Sequence, residues 1–231
     1  MRKIVVFTGS GISADSGIST YRSQDGLWER YRIEDVCTPE ALARNRATVI
    51  DFYNQRRRQL ADVSPNAAHS ALVELEQHFD VEIITQNIDN LHEVAGSTKI
   101  THLHGELTKL RSESGDDYIV DIGVRDQVLD EKAPDGSLMR PYIVFFGESV
   151  PMFERAVEIV HQADILVVVG TSLAVYPAGS LVGYVRDSSV PIYVVDPADI
   201  KISFLRNKIV HIKERAAEGV PKLVAQLKEF L

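Results

Sequence analysis

Four short stretches of the chain are apolar almost without interruption: Ile4 to Phe7, Val81 to Thr85, Ile165 to Val169 and Pro191 to Val195. Runs of that length with little alternation predict strands buried on both faces, as in a parallel sheet. Lys99 to Leu103 reads as a further strand. Between the runs the period lengthens. Ala68, Leu72, Leu75 and Phe79 recur at helical spacing and predict an amphipathic helix over 67–79, after the break at Ser64-Pro-Asn66. Helix is also predicted across 30–62, with Pro39-Glu40 at one start, over 154–163, and from Gly219 to Leu231. Strands alternating with helices predict an α/β fold with a parallel sheet covered on both faces. Residues 106–141 break the rhythm. They are polar and acidic, with Tyr118, Ile119, Val120, Ile122, Val124, Val128 and Leu129 interspersed, and predict short strands around a small core.

Composition narrows the classes. With 231 residues, 45% hydrophobic and 25% charged, the sequence suits one moderately large globular domain, or a core domain with a small insertion. A net charge of −8 argues against a general surface for nucleic acid or anionic membrane. Cys37 is the single cysteine, which excludes an internal disulfide and a cysteine-based zinc site within one chain. No run reaches the length of a membrane span, and the apolar residues after Met1-Arg-Lys are too few for a signal peptide. The expected location is the cytoplasm and the expected state a monomer.

Candidate chemistry begins where the first strand ends. Gly9, Gly11 and Ala14 fit the pattern G-x-G-x-x-G/A that closes a strand and opens a helix in dinucleotide folds. Glycine lets the backbone turn sharply and approach a pyrophosphate, whose charge the next helix's amides then face. By itself the pattern reads equally as a structural turn. No acidic residue closes a second strand about 20 residues on, as an ordinary Rossmann dehydrogenase requires. Tyr53 and Arg56, three apart, share a helix face and could grip a carboxylate, although the spacing fits a solvated basic face as well. Arg57 and Arg58 point elsewhere and are expected at the surface, while His69 and His78 are expected to be packing or surface residues. Gln86-Asn-Ile-Asp-Asn-Leu-His92 follows a strand's carboxyl end, where open α/β sheets bind ligands; the same residues also cap helices. His104, at another strand end, is a candidate general base.

Taken together, these stretches resemble the sirtuin family over nearly the whole chain. Gly9-Ser-Gly-Ile-Ser-Ala-Asp-Ser-Gly-Ile18 with Tyr21-Arg22 is similar to that family's NAD-binding signature, and Thr85-Gln-Asn-Ile-Asp-Asn-Leu-His92 to its second signature. His104-Gly105 stands where sirtuins carry their catalytic His-Gly. Gly170-Thr-Ser172 matches a family loop, and Arg140-Pro-Tyr-Ile-Val-Phe-Phe-Gly-Glu-Ser-Val-Pro151 matches the stretch that pairs with an extended peptide.

The resemblance implies a Rossmann-like, doubly wound parallel sheet with a smaller inserted lobe. One catalytic domain would span 1–231, with a large NAD-binding lobe about 1–29, 65–105 and 142–231. The small lobe would comprise a helical part, about 30–64, and a cysteine-free module, about 106–141. NAD would be the cofactor. Its contacts would be Gly9, Ser10, Gly11, Ser13, Ala14, Asp15, Tyr21, Arg22, Gln86, Asn87, Ile88, Asp89, Gly170, Thr171, Ser172, Asp196 and Ala216, with Asp196 standing where the family usually has Asn.

His104 would be the base, with Asn87 and Asp89 beside it. Val144, Phe146, Gly147 and Glu148 would hold acylated lysines of proteins or peptides. Tyr53-Asn-Gln-Arg56 matches the Tyr-x-x-Arg of sirtuins that remove succinyl, malonyl or glutaryl groups. The implied reaction is NAD-dependent lysine deacylation, giving nicotinamide and O-acyl-ADP-ribose. Sirtuins commonly hold a structural zinc with two cysteine pairs in the region of 106–141; Ser112 and Gly115 stand at the first pair, so no zinc is expected. NAD hydrolysis or ADP-ribosyl transfer on the same fold, and a non-catalytic NAD-sensing module, are the rival readings.

Overall fold

The side chains of the first strand, β1 (Lys3–Thr8), alternate between two separate cores. Ile4 and Val6 join one cluster and Val5 and Phe7 another, and all four are fully buried. This explains the unbroken apolar run, because a strand covered on both faces has no solvent side to mark with polar residues. The computed structural model describes residues 1–19, 31–115 and 118–229.

β1 lies inside a six-stranded parallel sheet of order β3-β2-β1-β7-β8-β9. Its partners are β2 (Asp80–Thr85), β3 (Ile100–His102), β7 (Ile165–Val169), β8 (Ile192–Val195) and β9 (Ile209–Ile212). One face is covered by α4 (Ala67–Leu75) and α7 (Ala216–Lys228), the other by α6 (Phe153–His161) and the 3-10 segment Ala178–Tyr184. The doubly wound α/β expectation therefore holds.

Three helices, α1 (Ile33–Val36), α2 (Pro39–Arg44) and the longer α3 (Arg46–Ala61), occupy the region predicted helical across 30–62. Thr38 and Asn45 accept N–H bonds from Ala41 and Thr48 and cap α2 and α3. After β2 comes α5 (Leu91–Ala95). A second, antiparallel sheet of order β5-β4-β6 is built from β4 (Gly105–Ser112), β5 (Ile119–Asp121) and β6 (Met139–Ile143). α1 to α3 share a core with Leu107, Ile143 and Phe145, so the helical part and the second sheet are packed together.

The glycine turn after β1 leads into two 3-10 turns, Ser10–Ile12 and Ala14–Ser16, ended by Gly17 at φ 92°. Three features depart from expectation. The closing helix begins at Ala216, ahead of Gly219. Ile209–Ile212 is an unpredicted strand. It is half-buried at the sheet edge and interrupted by His211, so it shows no continuous apolar run. Finally, the small core of the 106–141 region is Leu110, Ile122, Ala133 and Met139, while Tyr118, Ile119, Val124, Val128 and Leu129 are exposed.

That region holds a compact polar knot around Ser112. The Ser112 hydroxyl is 2.6 Å from those of both Ser114 and Ser137, and the Asp135 carboxylate accepts from Ser114 Oγ at 2.8 Å and from Ser137 Oγ at 2.6 Å. Much of the acidic character is also paired: Glu113 with Arg46, Asp126 with Arg58, Glu131 with Arg125. Among the described residues, no group of three or more His, Cys, Asp or Glu could hold a metal ion.

Candidate functional site

The register of the parallel sheet brings Thr8, Thr85, Val169 and Val195 level, so the loops that follow β1, β2, β7 and β8 leave from one edge. These loops are bonded to one another. Gly9 N–H donates to Val169 O at 3.0 Å and Gly11 N–H to Gly170 O at 2.9 Å. The glycines are required by that approach: a Cβ on Gly11 would lie 2.6 Å from Gly170 Cα, and one on Gly170 2.5 Å from Ile12 N. The close contact that selects glycine here is thus between two backbones of the protein.

The loop after β2 is fixed from inside. The buried Ser13 hydroxyl donates to Asp89 at 3.0 Å and accepts from Asn87 Nδ2 at 3.2 Å; Nδ2 also reaches Gly9 O at 3.1 Å. Gln86 Nε2 donates to Thr171 Oγ1 at 2.9 Å. Burial pushes the Asp89 carboxyl above its ordinary value, opposed by bonds from Leu91 N–H and Ser13. His104 Nδ1 donates to Gln86 O at 2.9 Å, which leaves Nε2 as the acceptor of a neutral ring. Burial lowers the pKa of His104, so the ring is neutral at pH 7.

A cavity of about 240 Å³ lies beside these groups. From the predicted set it brings together Ser10, Tyr53, Arg56, Gln86, Asn87, Ile88, Asp89, His104, Val144, Phe146, Gly147 and Glu148. Tyr53, in α3, is 1% exposed; its ring stacks on Phe145 at 5.9 Å and its hydroxyl is 3.2 Å from Cys37 Sγ. Arg56, one turn on, carries a guanidinium 5.9 Å from the Phe52 ring; burial lowers its pKa, offset by Tyr53, Cys37 and Asp89. Glu148 borders the cavity, but its carboxylate is committed elsewhere. It takes two bonds from Arg140, at 2.6 and 3.1 Å, and one from Phe145 N–H at 2.7 Å. This fixes the loop that carries Val144 to Gly147.

A family model described as the Sir2 family matches residues 9–177. The chain belongs to the Sir2 family. The NAD-dependent protein deacylase of Aggregatibacter actinomycetemcomitans is 59% identical over 193 residues, 84% of this chain and 92% of that protein. Among solved structures, a complex of a mutant Sir2 homologue with ADP-ribose superposes with a TM-score of 0.90 at 35% identity, covering 99% of this chain and 92% of that one. A Sir2 homologue–NAD complex gives 0.88 at 35% identity, over 99% and 90%.

The Sir2 cofactor NAD suits the residues present. Ser10, Gln86, Asn87 and Asp89 bring hydroxyl, amide and carboxyl groups to one side of the cavity, the donors and acceptors that ribose hydroxyls and a carboxamide take up. Several other residues expected to contact NAD lie off the cavity. Gly170, Thr171 and Ser172 follow β7, and Thr171 is 8% exposed. Ala14 is half-buried in the first loop. Asp15 pairs with Arg215 and accepts from Ala217 N–H at 3.3 Å, so its carboxylate caps α7. Ala216 is 3% exposed within the core, and Asp196 Oδ1 accepts from Ala198 N–H at 2.8 Å. Tyr21 and Arg22 lie outside the described residues.

The sequence reading missed other cavity residues of this Sir2 chain: Ile18, Ser19, Cys37, Ile143, Phe145, Val150, Val175, Tyr176 and Pro177. Tyr176 and Pro177 stand at the end of the Gly-Thr-Ser loop, which offers a signal; Cys37 carries none. Arg57 was placed at the surface, and that is overturned. It is fully buried, with Nε donating to Leu107 O at 2.8 Å and Nη1 to Asn54 Oδ1 at 2.9 Å.

Proposed function

We propose that this protein removes acyl groups from protein lysines with NAD as co-substrate, and that its preferred acyl groups end in a carboxylate, as succinyl and malonyl do. Acetyl is a secondary substrate. The single observation that carries the acyl preference is that Tyr53 and Arg56 border the same cavity as His104. A phenol and a guanidinium offer donors to a carboxylate at the far end of an acyl chain, and charge-assisted bonds of this kind are strong.

NAD supplies, when bound, the ribose carbon that takes up the acyl oxygen and the ADP-ribose that carries the acyl group away, with release of nicotinamide. The chain's own residues do the rest. His104, held by the Gln86 carbonyl in the tautomer that frees Nε2, accepts a proton from a ribose hydroxyl. Asn87 and Asp89, tied through Ser13, orient the ribose and carboxamide end. The apolar groups of Val144, Phe145 and Phe146 enclose the lysine stem and exclude water.

Matched succinyl- and acetyl-lysine peptides test this reading. The expected result is higher kcat/KM for the succinyl peptide, and loss of both activities in His104→Ala. Tyr53→Phe with Arg56→Met lowers desuccinylation about 10- to 100-fold, the scale of one or two bonds to a charged group, and leaves deacetylation within about 3-fold. Equal loss on both peptides refutes the acyl assignment. Free ADP-ribose without O-acyl-ADP-ribose refutes deacylation itself.

A further inference from the structure

Two histidines flank Leu103, and they hold two successive main-chain carbonyls of the loop after β2. His104 Nδ1 is 2.9 Å from Gln86 O, and His102 Nδ1 is 3.0 Å from Asn87 O. Their second nitrogens part ways. His104 borders the cavity, whereas His102 Nε2 lies 2.7 Å from Glu93 Oε1 in α5. A carbonyl only accepts, so His102 Nδ1 carries a proton. An ionised carboxylate only accepts, so Nε2 carries one as well. The ring is therefore an imidazolium with both protons committed.

We propose that His102 is a positioning residue: as an imidazolium it clamps α5 to the Asn87 carbonyl and keeps Asn87 and Asp89 set toward the cavity. The inference rests on the reading of that loop as part of the active site. It adds a residue that does not border the His104 cavity and acts through the loop. Deprotonation removes one of the two donors, so one end of the clamp opens.

The charged surroundings fit this role. Burial works against the charge on His102, but the Glu93 hydrogen bond and charge, with Glu106 behind them, carry its pKa above the ordinary histidine value. Glu93, pulled the other way by the His102 bond against its own burial, is held below the usual carboxylate range and stays ionised. Lys109 faces the same pair and is itself bound to Glu106 at 2.7 Å. Asp89 lies on the loop side, and the neighbouring His92 is neutral, its pKa lowered to about 3 by burial. A raised pKa means that the clamp is fully present below the ordinary value of about 6.5 and is lost as pH rises through the folded-state value. The clamp thus sets an alkaline limb, while His104 sets an acid limb.

The experiment compares pH profiles of kcat/KM for NAD in the wild type, Glu93→Gln and His102→Gln, with ring NMR titration of His102 in the first two. Glu93 has a side chain 38% exposed, and Gln keeps an acceptor there while removing the charge, so folding is preserved. The expected result is that Glu93→Gln moves both the alkaline limb and the His102 titration to lower pH by about one unit, the scale of a lost opposite charge at contact. His102→Gln abolishes that limb and holds turnover low at every pH. A uniform fall with an unmoved limb in Glu93→Gln, or a His102 ring neutral below pH 6.5 in the wild type, overturns the clamp. If the wild type deacylates nothing at any pH, the functional reading fails, and the ring titration still decides the clamp.

Discussion

At Cys37 and Gly170, one residue carries a consequence out of proportion to its size. Cys37 is 7% exposed and its thiol, 3.2 Å from the Tyr53 hydroxyl, has its pKa pushed up by burial. A protonated, enclosed thiol is a poor nucleophile. We expect no reaction with a disulfide reagent in the native state over the time in which the urea-unfolded chain reacts fully; rapid native labelling would contradict this. Gly170 sits at φ 60° with Ile12 N only 2.5 Å from where a Cβ would stand. Gly170→Ala meets both a left-handed backbone and a main-chain clash, and should destabilise by about 2–4 kcal/mol in urea denaturation. A loss under 1 kcal/mol would show that the two loops separate easily.

Among the elements, the antiparallel module around β4, β5 and β6 is the most informative. Its antiparallel strands are closed by the hydroxyl–carboxylate knot of Ser112, Ser114, Ser137 and Asp135 above a core of four residues. Ser112 is 2% exposed, so Ser112→Ala removes bonds that water cannot replace and should cost about 1–2 kcal/mol. Prolonged chelation should leave both the melting temperature and NAD turnover unchanged; a drop on chelation that zinc restores would refute a metal-independent module. The apolar pattern does predict short strands here, yet it misassigns their core. Strand pairing across Leu110, Val120 and Pro141 decides which residues turn inward, and that pairing joins positions far apart in the sequence. Elsewhere the central strands are legible because both faces are apolar. The loop from Gln86 to Asp89 and His104 are legible because their chemistry is concentrated in a few consecutive residues. Cys37, Phe145 and Arg57 are not. The first two reach the cavity only through folding, and three consecutive arginines look solvated until the Leu107 carbonyl and Asn54 are seen to absorb the middle one.

For the whole molecule, two buried histidines tie stability to acidity. His69 in α4 and His92 in α5 stand with ring centroids 5.0 Å apart, and burial lowers their pKa values to about 4 and about 3. The unfolded chain takes up these protons near pH 6.5 and the folded chain does not, so stability is present above that pH and is lost as pH falls toward 4. The His69 shift alone corresponds to about 3 kcal/mol. Urea midpoints should fall steadily from pH 6.5 to 4.5. His69→Gln, which can still close the capping box on Asn66, should flatten that fall. An unchanged slope would separate the acid sensitivity from this pair.

Peroxide attacks thiolates and spares hydroxyl and carboxylate oxygens. The serine–aspartate knot therefore closes the small module without presenting a thiolate to an oxidant. Closure of this kind is expected to hold through an oxidative burst that would convert cysteine ligands to sulfenic acids or disulfides.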